Sequence, residues 1–194
     1  MSAVAAAGRT VAFERRHALA LAGFKGPRAA EWAGLQGLPL PPAANRFARS
    51  ADGGLLVARL GAAEFFIEAA AGGARIIAPL RAALAARPPG VYPVLREDWG
   101  FRLGGDAVHE VLAQVCNVDF AALTLSSMGV VMTLMVGVAV IVIPEAATAG
   151  GPDEARGGGR CYGIWCDPTF GAYLGEALKT VVEGGGGIII GESK

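Results

Sequence analysis

Apolar and polar positions along the chain alternate in short stretches, some with the two-residue period of a strand and some with the three-to-four-residue period of a helix. His17–Phe24 (HALALAGF) reads as a strand that runs into Lys25-Gly26-Pro27-Arg28, where Pro27 suits the first turn of a helix. A short helix over Ala29–Leu35 follows, stopped by Gly37, and Leu38–Asn45 (LPLPPAAN) is an extended, proline-rich connection. Asp52-Gly53-Gly54 is a turn before strand Leu55–Leu60, and Glu64–Glu68 (EFFIE) is a further strand. Ala74–Ala86 reads as a helix kinked or divided at Pro79. Arg87-Pro88-Pro89-Gly90 marks a boundary between halves.

Beyond that boundary, Val91–Leu95 is a connection and Trp99–Leu103 a strand. Asp106 is a candidate N-cap for a helix from Ala107 to Val115, which places Val108, Val111, Leu112 and Val115 on one face. Ala121–Pro144 contains no charged residue, and a run of that length has two readings. It is long enough for a membrane-spanning helix. Its Val, Ile and Thr content, its scattered Ser and Gly, and the lack of flanking Lys or Arg favour two core strands instead. These are Val130–Val136 and Val138–Ile143, either a pair with a tight bend or one bulged continuous strand at Val136–Gly137, with Pro144 ending the second run. Ala146–Arg160 is a Gly-rich mobile loop, Arg160–Cys166 a strand, and Asp167 opens a helix over Phe170–Val182 with Tyr173, Leu174, Leu178 and Val181 on one side. Ile188–Ile190 in the tail is a final edge strand or a docking peptide.

The pattern implies an α+β fold of two similar strand–helix–strand–strand–helix modules packed as one unit. A flexible arm covers residues 1–16, a first module 17–87, a second module 88–183 with the loop at 146–160, and a tail 184–194. LAGFKGPRAAEWAGL in the first half parallels FRLGGDAVHEVLAQV in the second, and LLVARLG parallels VVMTLMVG.

Composition narrows the function. The 17 basic and 17 acidic side chains cancel, which gives no footprint for nucleic acid or an anionic membrane surface. At 18% charged residues, part of the surface is expected to be covered by another subunit. The three cysteines, Cys116, Cys161 and Cys166, form no disulfide framework, and the N-terminus has no secretory pattern, so the expected compartment is the cytoplasm.

Residues in chemistry-bearing arrangements are few. Cys161 and Cys166 are five apart on one strand and point to opposite faces, and His17 and His109 fall in different halves, so no metal site is expected. No nucleophile elbow or dinucleotide-binding glycine pattern occurs. Glu64 and Glu68 share one strand face, read as a solvated edge. No catalytic or cofactor-binding residue is assigned. Core packing is the ordinary role of aromatics, and Phe65, Phe66, Trp165 and Tyr173 are the candidates for a partner interface.

Several motifs, taken in order, carry a resemblance. GFKGP with its short helix, GLPLPPAAN, LLVARLGAAEFFIE, FRLGGDAVHEVLAQVCNVDF, MTLMVGVAVIVI and YGIWCDPTFGAYLGEAL together resemble the gamma subunit of heterotetrameric sarcosine oxidase over about Ala18–Glu183. Gly105-Asp106 stands where the second Gly-Pro of that pattern falls, and Thr169 where Ser is usual. The resemblance implies an abbreviated form of the folate-binding aminomethyltransferase (glycine-cleavage T-protein) fold. It also implies a non-catalytic place in a flavin-dependent, amine-demethylating complex. There, partner flavoprotein and folate-binding subunits would carry FAD, FMN, NAD, zinc and tetrahydrofolate, with no cofactor on this chain. Two other readings stand beside it: a stand-alone folate-binding one-carbon-transfer protein, and a membrane-anchored adaptor built on the uncharged run.

Overall fold

A computed structural model of the chain describes residues 11–17, 19–70, 73–146 and 160–190. The expected mobile loop at Ala146–Arg160 therefore lies outside the described residues except for its two ends, as do the first ten residues of the expected arm. In chain order the elements are β1 (Val11–Arg16), β2 (Ala20–Lys25), α1 (Ala29–Leu35), β3 (Arg46–Arg49), β4 (Leu55–Arg59), β5 (Glu64–Ala69) and α2 (Ala74–Ala85). They continue with β6 (Tyr92–Val94), β7 (Trp99–Gly105), α3 (Val108–Val115), β8 (Val131–Met135), β9 (Val138–Glu145), β10 (Cys161–Cys166), α4 (Pro168–Gly184) and β11 (Ile188–Ile190). Two short 3₁₀ turns, Phe120–Ala122 and Leu125–Ser127, lead into β8.

The architecture is α+β, with two sheets and four helices among the described residues. One sheet runs β3-β4-β5-β2-β6 and the other β11-β1-β7-β10-β9-β8. Strand alternation then builds three apolar layers. Phe24, Val57, Phe65 and Ile67 face α1 and α2, whereas Phe101, Leu103, Val140, Val142 and Ile164 face α3 and α4. Between the sheets, Leu21, Leu56, Phe66, Ile141, Ile143 and Trp165 meet in a third cluster. Trp165 fits there because Gly163 carries no side chain: a Cβ at that position would lie 2.4 Å from the indole.

The uncharged run forms two strands joined by a tight bend, not one bulged strand. Val136 (φ 44°) and Gly137 (φ 86°) form a two-residue turn with both φ positive, which suits the twist of the flanking strands. None of the described helices is long and apolar enough to cross a membrane. Pro144 does not end the second strand but lies inside β9, opposite Tyr162. β8 stops pairing at Val142, so a proline two residues further on removes no ladder hydrogen bond on that side.

Other boundaries move for non-local reasons. The residues expected to be arm up to Arg16 include β1, which pairs antiparallel with β7 along its whole length. The supposed connection around Val91–Leu95 holds β6, an edge strand where Pro93 is tolerated. Thus β1 joins the sheet of the second half and β6 that of the first. Ile188–Ile190 is an edge strand, parallel to β1. Asp106 caps nothing: the cap position of α3 is Ala107, without a side-chain hydrogen bond. Asp167 does cap α4, accepting from the Thr169 amide at 2.8 Å. α2 continues through Pro79 as one helix, and α4 buries Leu174, Leu178 and Val182 rather than Tyr173.

Candidate functional site

The layer between the sheets is apolar around Trp165 and charged beside it. Period-two alternation puts Glu14 and Arg16 of β1, Arg102 of β7 and Glu68 of β5 on the sides of their strands opposite Phe13, Leu103 and Ile67, whose side chains enter the helix-covered cores. Glu145 ends β9, and Arg49 ends β3. A cleft of about 870 Å³ opens over these residues.

Arg16 is the centre of the cluster. Its Nη1 donates to Glu68 Oε1 at 3.1 Å and its Nη2 to Glu145 Oε2 at 2.5 Å. The guanidinium also lies 5.4 Å from the Trp165 ring. The indole N–H donates to Glu68 Oε2 at 2.5 Å, so both oxygens of that carboxylate are engaged. Glu145 is further approached by Arg102 Nε at 3.5 Å and Arg49 Nη2 at 3.7 Å. Side-chain exposure is 19% for Arg16, 14% for Glu68 and 8% for Glu145, which removes much of the screening that weakens a surface pair.

Protonation follows from that burial. Burial pulls the Arg16 guanidinium toward losing its proton, but Glu145 and Glu68 outweigh it and the pKa rises. Burial raises the Glu68 carboxyl above the ordinary carboxylate value, with Glu145 adding to the effect, and Arg16 and the Trp165 N–H hold it back only in part. Between 4.5, the unfolded value, and the higher folded value, the folded state therefore keeps a proton on Glu68 that the unfolded chain has released. Above the folded value Glu68 is the carboxylate that Arg16 answers. Stability contributed at Glu68 is present in full below pH 4.5 and is lost as the pH rises through the higher folded value. Glu68→Gln is expected to remove this component. The difference in urea-unfolding free energy between wild type and variant, followed upward from pH 4.5, should slope; a constant difference would refute the assignment.

Chemically, the arrangement is a clamp between sheets. Each carboxylate is held by guanidinium or indole donors, and neither is presented to the cleft as a free base. Among the described residues no group of three or more His, Cys, Asp or Glu side chains is placed to hold a metal ion. Arg49, with 34% of its side chain exposed and its nearest carboxylate contact at 3.7 Å, is the member most accessible to an anion entering the cleft.

A second polar group lies across the helix-covered core. Tyr162 donates its hydroxyl to the Phe120 carbonyl at 2.9 Å and sits 2.8 Å from His109 Nε2. Burial, reinforced by Arg160, lowers the His109 pKa. Cys116, Cys161 and Cys166 are buried. Burial pushes the Cys166 thiol up to about 11, so it is not an activated nucleophile.

The structure separates the four candidate interface residues. Phe65, Phe66 and Trp165 are fully buried within this chain, which corrects their reading as partner anchors. β5 lies between β4 and β2 and is covered on both faces, so its aromatics have no outer side. Phe65 stacks on Phe24, and Phe66 meets Trp165 edge-on at 5.6 Å. Tyr173 alone of the four is exposed, at 59%, with its hydroxyl 3.3 Å from the Val136 carbonyl. Glu68 is likewise not on a solvated edge but inside the clamp, and Glu64 pairs with Arg96 at 2.7 Å.

Arg16, Arg49, Arg102 and Glu145 escape a reading of the sequence as site residues. Two signals for them exist: Glu14 and Arg16 alternate with apolar Val11 and Phe13, and Glu145 is the lone charge closing an otherwise apolar strand.

No protein-family model matches the sequence, and no curated protein matches it. Among solved structures the chain resembles heterotetrameric sarcosine oxidase from Corynebacterium sp. U-96, in a complex with pyrrole 2-carboxylate. The TM-score is 0.65 at 18% identity, over 96% of this chain and 90% of the matched chain. It also resembles the glycine cleavage system aminomethyltransferase T from Bartonella henselae, with a TM-score of 0.63 at 16% identity, over 95% of this chain. That match spans 49% of the aminomethyltransferase, so the chain is about half its length. These likenesses establish a shared fold.

Proposed function

We propose that the chain is a non-catalytic, gamma-type subunit of a multi-subunit, flavin- and folate-linked amine-demethylating oxidase or dehydrogenase. The observation that carries this reading is the reach of the first match, which extends over 96% of this chain and 90% of one chain of a heterotetramer. The Arg16 cluster supports it, because its carboxylates are spent on holding two sheets together rather than on moving protons. In this reading FAD, FMN, NAD, zinc and tetrahydrofolate belong to partner flavoprotein and folate-binding subunits.

The chain isolated from its native cell is expected to co-purify with a flavoprotein and to show no flavin absorbance once separated. A lone chain that oxidises an N-methyl amine would overturn the proposal. A second reading, a stand-alone folate-binding one-carbon-transfer protein, is favoured by the aminomethyltransferase match. Titration with tetrahydrofolate, read by the fluorescence of Trp32, Trp99 and Trp165, separates the two: saturable quenching supports the second reading, and a flat titration removes it.

A further inference from the structure

Among the described residues, the outer edge of β8 is the one sheet edge left undefended. Natural edges are blunted by charge, by proline or by shortness. β3 carries Arg46 and Arg49, β6 carries Pro93, and β11 is three residues long. β8 (VMTLM) has none of these, and on it Met132 is 49% and Leu134 62% exposed.

Its backbone is also half used. Just before β8, Val130 donates its N–H to the Asn45 carbonyl at 2.9 Å, and the Met128 carbonyl accepts from Phe47 at 2.8 Å. Those groups point away from β9, toward the other sheet. The two-residue period then aims the amides and carbonyls of Met132 and Leu134 off the same side. The chain before Arg46 turns at Ala44–Asn45, where Asn45 has φ 56°, and no described residue pairs with Met132 or Leu134 on that side.

We infer that this edge pairs with the same edge of a second copy of the chain. In an antiparallel arrangement about a two-fold axis at Thr133, Met132 faces Leu134 of the other copy and Leu134 faces its Met132. The outward groups of both residues are then satisfied in a symmetric set of hydrogen bonds. The register is self-complementary: apolar side chains meet apolar ones on one face, threonine meets threonine on the other, and no charge is brought opposite a like charge. Arg46, beside Gly129, stands at the start of the edge, so the two-fold sends its two copies to opposite ends. The free stretch is the five residues of β8, the length of the strand that fills it. Formal net charge of zero adds no long-range repulsion between copies. The pairing is independent of which complex the chain serves.

Sedimentation velocity of the full chain over a concentration series tests this. Wild type is expected to show a dimer fraction that rises with concentration. Leu134→Pro removes an outward N–H that the intrachain ladder does not use, and is expected to be monomeric at every concentration with an unchanged far-ultraviolet spectrum. The double variant Met132→Lys, Leu134→Lys puts lysine opposite lysine across the axis. Both side chains are exposed, so it keeps the monomer fold and is likewise expected to be monomeric. A wild type that stays monomeric throughout overturns the inference, as does a dimer that persists in the lysine variant. Binding of another protein's extended segment at this edge, with no self-association, overturns it too.

Discussion

Replacing Arg16 with methionine is expected to lower the unfolding free energy by about 3 kcal/mol, the lower end of the cost of stranding one member of a buried ion pair. The substitution keeps the aliphatic bulk and removes the charge that answers both Glu68 and Glu145. The cost stays at the low end because Glu145 keeps Arg49 and Arg102, and Glu68 keeps the Trp165 N–H. For a domain of this size that loss corresponds to a drop in Tm of about 6–12 °C. Adding Glu68→Gln to the Arg16→Met background should recover roughly half of it, because an amide next to the indole is far cheaper to bury than an unanswered carboxylate. Chemical denaturation of the two single variants and the double variant measures the coupling. An Arg16→Met loss under about 1 kcal/mol, the scale of a solvent-screened surface pair, would show that the clamp is screened and carries little of the fold.

Truncating Trp165 to alanine is expected to cost about 3–5 kcal/mol, the range for a large aromatic removed from a core. Trp165 is the largest of the fully buried side chains, and it sits where the sheets face each other. Its loss opens a cavity against Phe66, Leu56 and Ile143 and takes away a donor to Glu68. Trp165→Phe separates these contributions. It keeps most of the contact area but not the N–H, and its expected cost is about 1.5–3 kcal/mol, that of a hydrogen bond to a charged group. Urea unfolding of the two variants checks the ordering. Equal losses for alanine and phenylalanine would mean that the hydrogen bond, not the packing, joins the sheets.

What the sequence reveals and what it conceals divide along the range of the forces involved. Ala29–Leu35 was legible because its start and stop are local, with Pro27 before it and Gly37 after it at φ 71°. The bend at Val136–Gly137 was legible because the turn geometry is encoded in two adjacent residues. α3 followed from four apolar residues on one face. β1 was not legible, because its strand character comes from β7, which lies far along the chain and supplies the ladder. β6 was hidden by Pro93, whose missing N–H is harmless only at an edge that the sequence does not announce. The partner-facing role given to Phe65, Phe66 and Trp165 failed for a related reason. An apolar aromatic on a strand looks the same whether the sheet against it belongs to another subunit or to the other half of the same chain. The charged clamp was concealed most completely, since Arg16, Glu68 and Glu145 come from three separate strands and meet only when both sheets are in place.

The placement of β1 between β7 and β11 also governs the order in which the fold can be completed. Val11–Arg16 is synthesised before either neighbour. One edge waits for Trp99–Gly105, and the other for Ile188–Ile190 near the end of the described chain. The sheet of β2 to β6 draws only on residues 20–94 and can close while β1 still has nothing to pair with. During that interval the apolar face of β1, Val11 and Phe13, is exposed to whatever it meets. Because those pairings span almost the whole described chain, the second sheet is the slow one to assemble, and its oldest strand is the last to be sealed on both sides.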